Sequence, residues 1–268
     1  TMRAVADDPA LARSAGVAAP RVLSATWFLS AAIGALGAVL LALDQPWAGI
    51  DLAVTVDGQG IVLAGVDPAG PNADLAPGDQ LLALAAADDG TRVEFRPADL
   101  AEEPDVADSF AALDGVFFAR QGQIHDILEA GRVMATLAPA DGPERDVTLA
   151  TVPARPVGDL PVVFWVQVLV GVTGLVMGTW VWSLRGRDLA AFMFALAGAG
   201  LALSALCASV YSTREVAMPE GLFRALSNMN NTGSLTFGAG MIGLCGVAPT
   251  GFRVPHENQS TGHLNARI

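Results

Sequence analysis

Lysine is absent from this chain: all 15 basic residues are arginines, and they stand against 27 acidic residues for a net charge of −12. Proteins that bind nucleic acid cluster lysine and arginine side chains against the phosphates. The excess of negative charge is unsuited to such a surface, so we expect no nucleic-acid partner.

Cysteine is scarce as well, with Cys207 and Cys245 both inside long apolar runs. Neither position suits a disulfide in an exported domain, and a metal site would need several ligands in register. No nucleotide or cofactor motif accompanies them. The sequence therefore predicts no metal ion and no cofactor.

Long apolar runs are what the chain has in abundance, since 52% of its residues are hydrophobic and only 16% are charged. A helix needs about 20 consecutive apolar residues to cross a bilayer. The first run is too long for the apolar core of a cleaved signal peptide, so a retained helix is expected. Four spans are predicted, of which the last is shorter and rich in glycine: 22–43, 161–184, 189–210 and 232–248.

The arginines predict how these spans are oriented, because short cytoplasmic loops carry an excess of Lys and Arg. Three arginines lie in the N-terminal arm, 1–21, and Arg185 and Arg187 lie in the turn between the second and third spans. Both segments are therefore expected on the cytoplasmic side. Residues 44–160, with 21 acidic residues against 6 arginines, and the loop 211–231 then lie outside the cytoplasm. The polar tail is 249–268.

The exported segment has the pattern of a small α+β domain. The run "DLAVTV" alternates apolar and polar residues, and "RVMATLAPADGPERDVTLATV" predicts two strands joined by a turn. Between them, Ile124, Ile127 and Leu128 have helical spacing, and Gly131 is placed to end that helix. The predicted fold class is α+β, with a β-rich domain inserted between transmembrane helices.

Within this domain, "GVDPAGPNADLAPGDQLLAL" resembles the signature of bacterial PDZ domains. In PDZ domains a glycine loop offers backbone N–H groups to a peptide's terminal carboxylate, and the peptide adds a strand beside it. The resemblance implies a groove for a peptide or protein C-terminus between this loop with its strand and the helix. The implied residues are Gly58, Gln59, Gly60, Ile61, Val62, Leu63, Ile124, Ile127 and Leu128.

A wider resemblance covers most of 20–248. The second span together with "VYSTRE" is similar to the N-terminal sensor region of bacterial membrane histidine kinases that carry a periplasmic PDZ-like domain. This implies a multi-pass protein of the bacterial inner membrane that senses an envelope peptide or ligand, truncated before the kinase core. The alternative is a membrane-anchored PDZ adaptor that binds a partner protein.

Enzymatic motifs are not found beside these features. His125, His256 and His263 do not have the context of a phosphoacceptor histidine, and the boxes that hold Mg²⁺-ATP in a kinase core are missing. Neither a His-Glu-x-x-His motif nor a Gly-x-Ser-x-Gly elbow occurs. The expectation is that this chain is not an enzyme.

Polar residues cluster where the third span ends, at Tyr211, Arg214 and Glu215. They are expected at the membrane edge, where they either anchor the helices or recognise a ligand or lipid headgroup. Gly174 and Gly178 form a Gly-x-x-x-Gly pair on the second span, which serves either packing within the chain or a homodimer.

The predicted orientation can be tested by thiol labelling of intact cells. After both native cysteines are changed to alanine, single cysteines are placed in "ADDGTR" (87–92) and in "LRGRD" (184–188). An impermeant reagent is expected to label the first and spare the second, because arginine-rich loops stay in the cytoplasm. Labelling of the second loop alone would show that the orientation is the opposite of the predicted one.

Overall fold

The structure of the protein, a computed structural model, combines α-helices with one six-stranded antiparallel sheet. The described residues are 11, 14–88, 90–104, 109, 112–139 and 142–251. The helices are α1 (Ala19–Leu43), α2 (Phe118–Glu129), α3 (Val162–Leu184), α4 (Leu189–Tyr211) and α5 (Glu220–Gly251). The strands are β1 (Ile50–Val54), β2 (Ile61–Val66), β3 (Gln80–Ala86), β4 (Arg92–Glu94), β5 (Arg132–Ala138) and β6 (Arg145–Ala150).

Three helices are long and apolar enough to cross a membrane, namely α1 from Arg21, α3 and α4. The chain is therefore a membrane protein. Each helix contains an uninterrupted apolar run of sufficient length, and polar residues set the ends: Asp188 caps α4 by accepting a hydrogen bond from the Ala190 amide at 2.9 Å.

Helix α5 differs from the expected fourth span. It begins at Glu220, so the expectation of a loop over 211–231 is wrong: the connection from α4 is only 212–219, and the expected span 232–248 lies within a longer helix. The Pro219 carbonyl accepts the first helical hydrogen bond, from the Phe223 amide, and Glu220 pairs with Arg224 one turn on. Among the described helices α5 is not one of the three apolar enough to span a membrane.

The sheet is arranged around β3. The strand order is β1-β2-β3-β5-β6. On the edge of β3 that faces β2, the first residue of β3 pairs with β2 and the later residues pair with β4. The predicted hairpin of β5 and β6 is confirmed, as is the helix that ends before Gly131, whose φ is +79°. Just outside the outer strands, Trp47 and Val152 exchange two backbone hydrogen bonds of 2.9 Å. The two outer edges of the sheet are therefore bonded to each other where the domain joins the membrane helices.

Glycines allow the membrane helices to approach closely. A Cβ added to Gly178 would lie 3.0 Å from the Phe194 carbonyl oxygen, so the Gly174 and Gly178 pair packs on α4 within the chain. Gly200 and Gly233 face each other between α4 and α5, and a Cβ on Gly233 would lie 2.5 Å from the Ser204 nitrogen. The glycine stripes hold α3, α4 and α5 together.

Changing Gly233 to alanine should separate α4 from α5, because the new methyl group meets backbone atoms that cannot move aside. We expect a loss of about 1–3 kcal/mol in stability, the usual cost of overpacking, measured as unfolding of the purified chain in detergent. Gly238→Ala is the matched control on the same helix, since no packing neighbour in the described part of the chain lies within 4 Å of its added Cβ. Equal stability of the two variants would contradict the close packing.

Candidate functional site

The glycine loop expected to bind a peptide carboxylate uses its own N–H groups internally. The Gly58 amide donates to the Thr55 carbonyl at 2.8 Å, the Gln59 amide to Asp57 Oδ1 at 3.1 Å, and the Gly60 amide to Thr55 Oγ1 at 2.9 Å. The hydrogen bonds from Thr55 and Gln59 also lower the pKa of Asp57. The expectation of free amides at this loop is wrong, and a charged carboxylate stands beside it.

The strand and helix expected to form the groove lie against each other instead. Ile61 and Leu63, like Ile124, Ile127 and Leu128 on α2, are at most 2% exposed and belong to one core. Strand β2 pairs with β1 along its length, and Leu63 also exchanges backbone hydrogen bonds with Gly78 and Asp79. Val62, opposite Gln80, is only partly buried.

An unpaired strand edge beside an open groove is therefore wrong for these residues, because the apolar side chains that would select a peptide already fill the core. A β-branched side chain at Gly60 would also displace the side chain of Gln80, whose Nε2 lies 1.8 Å from an added Cβ. Peptide binding by the domain stays a prediction.

The second group of predicted residues lies at a junction between the domain and the helices. The junction loop, 212–219, carries Glu215, whose two carboxylate oxygens accept hydrogen bonds of 2.8 Å from the amides of Ala48 and Ile50. Burial raises the pKa of Glu215 to about 7, although these bonds and the charge of Arg155 act to lower it. Glu215 thus fixes the loop to the start of β1.

Arg214 binds another part of the domain, namely α2 and the segment that precedes it. Its Nε donates to Gln121 Oε1 of α2 at 3.0 Å, and its other nitrogens donate to the carbonyls of Ala101, Glu102 and Tyr211. The guanidinium also lies 4.6 Å above the ring centroid of Phe223 at the start of α5. Burial lowers the pKa of Arg214 to about 10, so the side chain remains charged at neutral pH.

Tyr211 is fully buried at the end of α4. Its hydroxyl donates to Glu103 Oε2 at 2.6 Å and accepts from Asn230 Nδ2 at 2.7 Å. Asn230 in turn bonds Ser204, which contacts Ser234 at 3.0 Å. All three predicted membrane-edge residues are therefore held by partners within the chain, and Tyr211 contributes no exposed anchor.

Apolar residues of the same loop enter the domain. Val216 and Ala217 are at most 4% exposed and pack in the core of the sheet and α2. Met218 packs next to them in a second cluster with Tyr211 and Phe223. The core of the domain is therefore not confined to 44–160.

Two residues that hold this junction were missed by the sequence analysis. Asn72 is buried in the proline-rich turn, donates to the carbonyls of Ala48 and Ala150 and accepts from the Ala150 amide, all within 2.8 Å. Arg155 donates to Asp159 and to the Thr213 carbonyl, and its amide donates to the Leu43 carbonyl. For Asn72 the available signal was an asparagine between two prolines, within the stretch that resembles the PDZ signature.

The raised pKa of Glu215 predicts how stability changes with pH. The folded chain binds this proton more tightly than the unfolded chain, whose Glu pKa is near 4.5, so the stabilisation is complete below pH 4.5 and is lost as pH rises through about 7. The loss is of the order of 3 kcal/mol. The free energy of unfolding should therefore fall between pH 5 and pH 8 in the wild type, and in Glu215→Gln this fall should be smaller by about that amount.

Glu144→Gln, on the exposed turn before β6, is the control and should keep the wild-type difference. An unchanged pH difference in Glu215→Gln would contradict the assignment.

The junction is the part of the described chain where buried charges, backbone groups and two apolar clusters meet. Its arrangement suits mechanical coupling of the domain to the helices, because each contact is specific and few are exposed.

No family model, curated protein or solved structure matches this chain.

Proposed function

We propose that this chain is the signal-input module of a membrane protein, in which the α+β domain responds to an envelope ligand and transmits its state to the membrane helices. The proposal rests on one observation. The eight-residue connection between α4 and α5 places Val216 and Ala217 inside the core of the domain. This short connection gives a change in that core a direct route to the two helix ends.

Further contacts extend the coupling to α1. Arg155, which follows β6, bonds both the Leu43 carbonyl at the end of α1 and the Thr213 carbonyl in the junction loop. Glu215 accepts hydrogen bonds from the amides of Ala48 and Ile50, and Asn72 donates one to the carbonyl of Ala48. The end of α1 and the loop that joins α4 to α5 are thus tied to one domain through hydrogen bonds.

The predicted orientation of the helices and the resemblance to sensor regions also support the proposal. The arginines of the N-terminal arm and of the turn between α3 and α4 support a cytoplasmic position for both, which leaves the domain outside, at the bacterial inner membrane. The resemblance to histidine kinase sensor regions with a PDZ-like domain supports the same role. In such proteins the helices would reposition a kinase core.

The adaptor alternative requires an accessible peptide groove. The residues implied for that groove are core residues and internally bonded amides, whereas the junction is extensively bonded. We therefore favour the sensor over the adaptor.

Coupling can be tested by measuring the distance between the C-terminal part of α5 and the turn after α3 while the domain is altered. Spin labels are attached to Cys245, which is exposed near the end of α5, and to Gly186→Cys in the turn after α3, with Cys207 changed to alanine. Asn72→Ala removes three hydrogen bonds next to Ala48 and should shift or broaden the distance distribution of the full chain in lipid nanodiscs.

Thr148→Ala is the control, because this side chain is exposed on β6 away from the junction, and it should leave the distribution as in the wild type. If Asn72→Ala alters the domain but not the distances, the domain is not coupled to the helices. That result would favour an adaptor over a sensor.

A further inference from the structure

We propose that His125, Asp126 and Glu129 of α2 bind a divalent transition-metal ion, for which Zn²⁺ is the best-suited candidate. The inference goes beyond the proposed function and does not depend on it. It concerns the side of α2 that faces the segment joining α1 to the sheet.

The three side chains are close enough to share an ion. One potential ligand atom from each lies within 4.8 Å of the others, and His125 Nδ1 is 3.8 Å from Asp126 Oδ1. Metal–ligand bonds of about 2.0–2.2 Å allow two ligand atoms to lie up to about 4 Å apart. Asp126 and Glu129 are exposed, so small changes of side-chain rotamer can close the remaining distance.

The histidine provides the independent indication of a ligand. His125 is only 7% exposed, and its buried Nδ1 has no hydrogen-bond partner among the residues that the structure describes. Leaving a buried acceptor or donor without a partner is unfavourable, because the group has lost its hydrogen bonds to water. On the same helix Gln121 is completely buried and both of its polar atoms are bonded. A metal ion would take up the Nδ1 lone pair when the imidazole carries its proton on Nε2.

A cavity beside the cluster leaves room for a further ligand. It measures about 420 Å³ and is lined by His125 and Glu129 from α2, and by Asp44, Thr151 and Pro219 from other segments. Three protein ligands with an open fourth position are typical of accessible zinc sites. Water or a side chain such as Asp44 can occupy that position.

The donor set also selects the ion. Imidazole nitrogen is a good ligand for Zn²⁺, Ni²⁺ and Cu²⁺, whereas Ca²⁺ and Mg²⁺ prefer oxygen donors throughout. Two carboxylates balance the charge of a divalent cation. The site is therefore expected to bind Zn²⁺ and to discriminate against Mg²⁺ and Ca²⁺.

The test is calorimetric titration of ZnCl₂ into the full chain, purified in detergent without a histidine tag and stripped with a chelator. We expect one saturable equivalent of Zn²⁺ and no comparable binding of Mg²⁺. His125→Ala should weaken binding at least tenfold, since loss of even an indirect partner of a metal costs about 10–100-fold. Asp126→Asn and Glu129→Gln should weaken it as well, and both change only exposed side chains.

Two controls separate this site from other donors. The double variant His256→Ala/His263→Ala removes the other histidines of the chain, and Glu144→Gln/Asp146→Asn removes exposed carboxylates near and on β6. Both should keep wild-type affinity. The proposal is overturned if the wild type does not bind Zn²⁺, if the α2 variants bind it unchanged, or if only the tail variant loses it. If His125→Ala does not fold, the two exposed variants decide.

Discussion

Partnered polar groups at the junction loop are the constraint on which the rest of this structure depends. Arg214 and Glu215 are carried between a membrane bundle and a sheet, where loss of water disfavours their charged forms. They are tolerated because each finds several specific partners: carbonyls and Gln121 for the arginine, two β1 amides for the glutamate. Those partners lie on different elements, so satisfying the two charges also fixes where the domain lies on the helices.

Much of the fold could be predicted because its signals are local. The apolar runs of α1, α3 and α4 exceed the length of a bilayer core, and the β5–β6 hairpin and α2 follow from periodicity and turn residues within a few positions. The start of α5 could not be predicted in this way. Its Asn and Ser residues resemble a loop in composition, but Asn230 and Ser234 find partners on α4.

The site was predictable only in part. Tyr211, Arg214 and Glu215 stood out as polar residues beside an apolar segment, yet their partners in the domain lie about a hundred residues or more away along the chain. Such contacts leave no local pattern. The prediction for the glycine loop failed for the opposite reason. Its motif is local, but the side chains of Thr55 and Asp57 beside it bind the amides that the motif was expected to offer to a peptide.

The position of Val216 and Ala217 also determines the order in which the protein can mature. These two core residues are synthesised after α3 and α4, long after the last strand of the sheet has ended at Ala150. On the ribosome the domain therefore emerges with an incomplete interior. Its folding is completed only when α4 has been inserted and the following loop has reached the domain, so membrane insertion and domain folding are steps of a single process.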